Sequence, residues 1–205
     1  SSKLPYSSMT KNDPFPNIIS FIGYIDQLKL VIRKNGLHDG SRSENTAEHS
    51  WHAAFSALLL HQYANQPLNI NKVIKMLLIH DLIEIEAGDT FVYDQKEVAE
   101  QEKSEINAAE LVFGRLPDEQ GERLKSLWKE FEARETPEAK FAKAIDRFLP
   151  LYSNIINKGY SWQPYDVNQS QVREIASIIQ DGSTRLWDLV DEMLNNAVDE
   201  GYLNP

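Results

Sequence analysis

The sequence predicts an all-α protein, a single-domain bundle of packed helices, and three observations carry that prediction. Apolar residues recur at three- and four-residue spacing through most of the chain. No segment alternates convincingly with the period of a strand. Gly and Pro punctuate the periodic stretches at intervals suited to helices of ordinary length. At 205 residues the chain can bury one sizeable core without a disulfide or zinc staple.

Residues 1–16 read as an irregular N-terminal arm and 17–205 as the domain. Ile18, Ile19, Phe21, Ile22, Ile25, Leu28 and Val31 predict an amphipathic helix from about Asn17 to Lys34, with Gly36 beyond its end. A second helix starts at Asn45 or Thr46, where Asn45 and Glu48 have the spacing of a capping box, and it runs to about Asn65. The third, about Asn71 to Glu86, is apolar almost all round and belongs at the centre of the domain. The stretch 89–94 has no helical period and reads as a loop. Helices follow over about 96–114, 118–133, 137–158, 168–180 and 183–200, the last two packed on the rest.

Composition excludes several functions. With no cysteine there is no disulfide framework, zinc finger, iron–sulfur cluster or thiol nucleophile, which fits a reducing compartment. No apolar run approaches the roughly 18 residues of a membrane span, and Ser1-Ser2-Lys3-Leu4-Pro5-Tyr6 lacks the apolar core of a secretory signal, so a cytoplasmic location is expected. The 21 basic and 31 acidic side chains give a formal charge of −10, which argues against a nucleic-acid polymer as partner. An anionic substrate would have to be drawn in locally, by a metal ion or a few placed cations.

The chemistry concentrates in a few residues. His80-Asp81 lies within the apolar third helix, with Glu84 further on. Burying an imidazole beside a carboxylate is costly unless the pair is satisfied or binds a cation. Two readings stand: core polar residues satisfied by backbone or by Arg147, or a metal site, since imidazole nitrogen and carboxylate oxygen suit a borderline divalent ion. His49, in the first turn of the second helix, and Asp146, flanked by apolar residues on a later helix, could converge on the same ion if the helices pack around one axis.

His49, His80-Asp81 and Asp146 reproduce the H…HD…D order of the HD-domain phosphohydrolases, and the spacings of 31 and 65 residues resemble those of the small single-domain branch that includes bacterial 5′-deoxynucleotidases. Glu44-Asn45-Thr46-Ala47-Glu48-His49-Ser50 is similar to that family's E-[SN]-x-[AS]-[ED]-H-S, and His80-Asp81-Leu82-Ile83-Glu84 followed by Gly88-Asp89 to its HDxxE…GD. The resemblance covers about residues 17–160. It implies one divalent ion (Mn, Co, Mg, Fe, Ni or Zn) held by His49, His80, Asp81 and Asp146, hydrolysis of a phosphate ester, and most of all of nucleoside (deoxy)monophosphates. Such an ion acts as a Lewis acid and lowers the pKa of its bound water. Glu84, four residues after His80, is the expected general acid/base, and Asp89 the second candidate for proton transfer or water positioning.

Arg33, at the end of the first helix, matches the place of a substrate-contacting arginine in the deoxynucleotidase branch and is expected to clamp phosphate oxygens. The tryptophan that follows in that branch is Lys34 here, which weakens the case for strict deoxyribose selection. Lys143, three residues before Asp146, is either a further phosphate contact or a solvated lysine. His52 borders the His49 face, whereas His38 and His61 receive no role. The stretch Tyr160 to Tyr165 either overhangs the pocket or packs in the core, and Trp128, Trp162, Trp187, Phe131 and Phe148 are spaced like core or interface residues. The expected partners are a small phosphorylated substrate and a second copy in a homodimer, with no membrane. Two alternatives remain open: a nucleoside triphosphate or guanosine polyphosphate hydrolase, or a non-catalytic binding or regulatory module of the same fold.

Overall fold

A computed structural model describes residues 12–89, 93 and 95–205. Its helices in chain order are α1 (Phe15–Ile25), α2 (Thr46–Leu60), α3 (Ile70–Ile79), α4 (Glu84–Ala87), α5 (Gln95–Phe113), α6 (Asp118–Ala133), α7 (Pro137–Ile156), α8 (Gln169–Ala176), α9 (Ile179–Gly182) and α10 (Thr184–Glu200). Two short strands, β1 (Ile32–Gly36) and β2 (Ser43–Asn45), pair antiparallel between α1 and α2. The predicted arm lies mostly outside the described residues, as do positions 90–92 and 94 of the predicted loop.

Local chemistry accounts for the helix boundaries. The Asn45 side chain accepts from the Glu48 backbone N–H at 2.9 Å while Glu48 accepts from the Asn45 N–H at 2.9 Å, so the predicted capping box opens α2. Thr136 caps α7 at the Ala139 N–H, with Pro137 at the first helical position. One core joins α2, α3, α7, α9 and α10 through residues such as Ala57, Leu77, Phe141, Ile145, Ile179 and Leu194. A second, built from Phe21, Leu28, Ile79, Ile83, Val112, Phe113 and Trp128, fastens α1, α5 and α6 to the end of α3. Among the described residues no helix is long and apolar enough to cross a membrane.

Two predicted helices are cut short. The first ends at Ile25, passes through a 3-10 turn over Asp26–Leu30, and then extends as β1. Burial explains the change of period: Phe21 and Leu28 enter the core, but Leu30 and Ile32 remain exposed, so nothing rewards a continuing helical face. Instead the Val31 carbonyl accepts from the Thr46 N–H at 2.9 Å and from the Thr46 hydroxyl at 3.1 Å, and the strand alternates. Arg33 and Asn35 turn inward while Ile32 and Lys34 turn outward. Arg33 is therefore a strand residue, not the last residue of a helix. The hairpin is clamped to the end of α7. Gly36 lies under the Tyr160 ring, where a Cβ would come within 2.5 Å of ring carbon, and the Asn157 side chain donates to the Leu37 carbonyl at 3.1 Å.

The third predicted helix ends at Ile79. Leu82 N–H reaches back to the Ile79 carbonyl (3.1 Å) and Glu84 N–H to that of Asp81 (3.0 Å), tighter three-residue closures that break the α-helical register before α4 resumes it. His80-Asp81 thus sits in this break, not inside a helix. The predicted helix over 168–180 is likewise two, α8 and α9, and the expectation of no strands fails at the hairpin.

Candidate functional site

The break after Ile79 and the helices around it bring the four sequence-predicted ligands together. His49 comes from the first turn of α2, His80 and Asp81 from the break, and Asp146 from α7. Each offers one ligand atom, and all four atoms lie within 4.8 Å of one another, so the group could hold a metal ion. Asp146 Oδ1 is 2.8 Å from His49 Nε2 and 3.1 Å from His80 Nε2, and Asp81 Oδ2 is 3.1 Å from His80 Nε2. Both histidines are buried.

The donor set passes a chemical test for a divalent cation. His80 Nδ1 donates to the Leu77 carbonyl at 2.6 Å, which leaves the Nε2 lone pair facing the cluster. His49 Nδ1 faces the Glu44 carboxylate at 3.4 Å, a long but matching arrangement. Two imidazoles and two carboxylates with no thiolate suit the borderline and hard divalent ions. Burial disfavours the His80 imidazolium, yet the Asp81 and Asp146 carboxylates outweigh it and hold its pKa well above the ordinary value. Burial opposes ionisation of Asp146 too, and Lys143 and His80 overcome it to keep that carboxylate charged. The cluster is built to stabilise positive charge at its centre.

Glu84, at the start of α4, lines the same cavity although the break removes it from the helical face of His80. Burial, reinforced by the Asp81 and Asp89 charges, pushes its pKa well above the usual carboxylate range. Its Oε2 lies 3.0 Å from the Thr46 hydroxyl, which also lies 3.1 Å from the Val31 carbonyl. One hydroxyl proton serves one acceptor at a time, so a neutral Glu84 can donate to Thr46 while Thr46 donates to Val31. Asp89 follows Gly88, whose φ of 79° and ψ of 169° are open almost only to glycine and turn the chain back toward the site.

Arg33 does reach the site, but carboxylates hold it: its Nε donates to Glu44 at 3.0 Å, and its Nη1 lies 3.5 Å from Asp81 and 3.7 Å from Asp89. Glu44 was part of a recognised motif with no assigned role, and it bridges Arg33 and His49. Lys143 Nζ lies 3.5 Å from Asp146 Oδ2 and 5.2 Å from the Phe131 ring centroid. It is the predicted cation beside the ligands and not a solvated lysine. Among the described residues Arg147 pairs with neither His80 nor Asp81; the Leu77 backbone carbonyl takes His80 Nδ1, and Arg33 lies beside Asp81. His52 packs by His38 and Trp51, while His61 is exposed after α2. Trp162 is buried and lines the cavity, so core packing and pocket wall coincide there.

The cavity above the cluster has a volume of about 420 Å³. Among the described residues, seven carboxylates and four basic side chains line it. Residues that the sequence did not single out include Glu105, whose carboxyl is pushed up to about 7 by burial and by the nearby Glu132.

Comparison with known proteins agrees with this geometry. A family model described as the HD domain matches residues 25–187. The 5′-deoxynucleotidase HDDC2 of Danio rerio is 30% identical over 133 residues, 63% of this chain and 64% of that protein. The chain thus matches a little under two thirds of the length of its first curated relatives. A solved structure of a protein described as a predicted metal-dependent phosphohydrolase, from Magnetospirillum magnetotacticum MS-1, is 44% identical, superimposes with a TM-score of 0.90, and is covered to 96% while covering 94% of this chain. An HD-domain phosphohydrolase of Listeria innocua shares 18% identity with a TM-score of 0.58 over 91% of this chain and 92% of that one, a likeness of fold. The match over residues 25–187 and the close likeness to the Magnetospirillum structure establish that this chain belongs to the HD-domain family.

Proposed function

We propose that the protein is a metal-dependent phosphohydrolase that removes phosphate from nucleoside (deoxy)monophosphates. The observation that carries this reading is the convergence of His49, His80, Asp81 and Asp146 beside a cavity lined by the last three and by Glu84. Those four residues would hold one divalent ion, of the Mn, Co, Mg, Fe, Ni or Zn group. A bound ion supplies Lewis acidity and lowers the pKa of water at the site.

The chain's own residues supply the rest. Glu84, whose carboxyl burial and the neighbouring Asp81 and Asp89 charges push toward its protonated form, can deliver a proton to a leaving oxygen and take one back from the attacking water. Asp89 lies beyond Arg33, which ties it to Asp81, so it positions groups at the cavity edge. Lys143, one turn from Asp146, faces the cavity and supplies a positive charge for the phosphate. Because three carboxylates occupy Arg33, we assign it chiefly to orienting Asp81 and Glu44, with substrate contact secondary. The reading includes a homodimer, supported by the exposed apolar face of α2 formed by Trp51, Phe55, Leu58 and Leu59.

The test is a panel of ribo- and deoxynucleoside mono-, di- and triphosphates with several divalent ions, read as phosphate release. Chelator-sensitive hydrolysis favouring monophosphates is expected, with a modest deoxy preference because Lys34 faces outward. Preference for triphosphates would overturn the monophosphate assignment. Elemental analysis of the purified protein, expected to give one divalent ion per chain, identifies the metal.

A further inference from the structure

The far end of the cavity carries features that neither the ligands nor Glu84 use. Residues Lys143, Arg147, Pro150, Leu151 and Asn154 line it from one stripe of α7, at helical spacings of four, three, one and three. At 1.5 Å rise per residue, this stripe runs about 16 Å away from the ligand end. Beyond Lys143 the wall is largely apolar: Pro150, Leu151, Trp162, Val172, Ile175 and Ala176. Asn154 is already committed, donating to Ser161 Oγ at 2.8 Å and to the Pro150 carbonyl at 3.0 Å while accepting from the Ser161 N–H.

Arg147 is different. Its Nε is buried and has no hydrogen-bond partner among the described residues. Arg33, in contrast, is held by three. A buried donor without an acceptor is costly, and the free guanidinium of Arg147 borders both this cavity and a second one of about 430 Å³ beside α8. The Nε is closed off from the cavity, so the terminal nitrogens of Arg147 are the donors this largely apolar slot offers, and two such parallel donors fit a flat ring that presents two adjacent acceptors.

We propose that Arg147 reads the base, selecting 6-oxopurine nucleotides, those of guanine or hypoxanthine. The inference rests on the phosphohydrolase reading, with the phosphate at the ligand end and the base against α8. The guanidinium fork matches the adjacent O6 and N7 acceptors of a 6-oxopurine. Adenine places an amino group where O6 would be and turns hydrogens toward the fork, and thymine offers single acceptors.

The experiment has two arms. In the first, kcat/KM is measured for dGMP, dIMP, dAMP and dTMP with the wild type, Arg147→Gln and Arg147→Lys, each checked for folding by circular dichroism. The wild type is expected to favour dGMP and dIMP over dAMP by about tenfold to a hundredfold, the usual reach of a bidentate base contact. Both variants should collapse that ratio toward unity, because lysine keeps the charge but lacks the fork. In the second arm, guanosine, inosine and adenosine are titrated against the wild type in chelator, with tryptophan fluorescence as readout. Quenching by guanosine and inosine at concentrations at least tenfold below those needed for adenosine is expected. Hydrolysis without a 6-oxopurine preference would overturn the proposal and spare the phosphohydrolase reading. So would a ratio unchanged in Arg147→Gln. If no nucleotide is hydrolysed, the phosphohydrolase reading fails and the nucleoside titration alone decides: equal quenching by all three overturns base selection.

Discussion

Divalent metal should stabilise this fold strongly, and the size of the effect follows from where the ligands sit. His49 and Asp146 are 97 positions apart, and His80 and Asp81 lie between them in a helix break. An unfolded chain cannot present all four at once, so the ion binds the native state alone. At free metal 100-fold above the dissociation constant, such binding adds about 2.7 kcal/mol. For a chain of this length each kcal/mol moves Tm by roughly 2–4 °C, which gives a rise of about 5–11 °C. The assay is thermal unfolding by circular dichroism in chelator and in a series of Mn, Co, Ni, Zn and Mg concentrations. His80→Ala and Asp146→Asn should remove most of the rise. An equal rise in both variants, or none in the wild type with any ion, would refute the four-ligand site.

Three further outcomes follow from single residues. Glu84→Gln should leave the metal-induced rise in Tm intact while turnover falls by about 10²-fold or more, measured under saturating substrate. Gly88→Ala should cost about 1–3 kcal/mol in urea unfolding, because alanine is strained at φ 79° and ψ 169°, and an unchanged midpoint would show that the turn relaxes. Glu105 has a folded-state pKa raised from 4.5 to about 7, so the folded state holds its proton more tightly than the unfolded chain does. Its ionisation therefore lowers wild-type stability as pH rises through 4.5 to about 7, by about 1–2 kcal/mol after discounting for partial solvent access. Urea unfolding in chelator should show Glu105→Gln gaining on the wild type across that window and levelling off above it.

Much of the architecture was written in local signals. The Asn45 and Glu48 capping box announced α2, and with it the placement of His49 in a first turn; α6 runs over Asp118–Ala133, the span its periodicity predicted. The candidate ligand set was legible because four residues matched a recognised order, not because their spacing showed convergence. What stayed hidden depended on tertiary partners. Nothing in Ile79-His80-Asp81 marks a helix end, since the apolar run continues through Leu82 and Ile83; the break appears only when both of these side chains enter the second core. Arg33 read as helical because Leu28 and Val31 kept the period, and only the pairing of β1 with β2 reveals a strand. The isolation of Arg147 was invisible for a related reason: whether a cation finds a carboxylate is decided by packing, not by its neighbours in sequence.

The acid-rich lining of the cavity has a kinetic consequence. Seven acidic and four basic side chains line the cavity, and two of the basic ones, Arg33 and Lys143, already lie beside carboxylates, so the lining stays more acidic than basic even with Glu84 neutral and is unfavourable to a phosphate dianion. A divalent cation held by the candidate ligand cluster would offset the Asp81 and Asp146 charges and make that end of the cavity more favourable to a phosphate. Metal and substrate are then linked ligands, each tightening the other by the same factor. On the proposed function, a chelator is expected to weaken nucleotide binding as well as stop turnover, and saturating nucleotide is expected to slow the loss of metal.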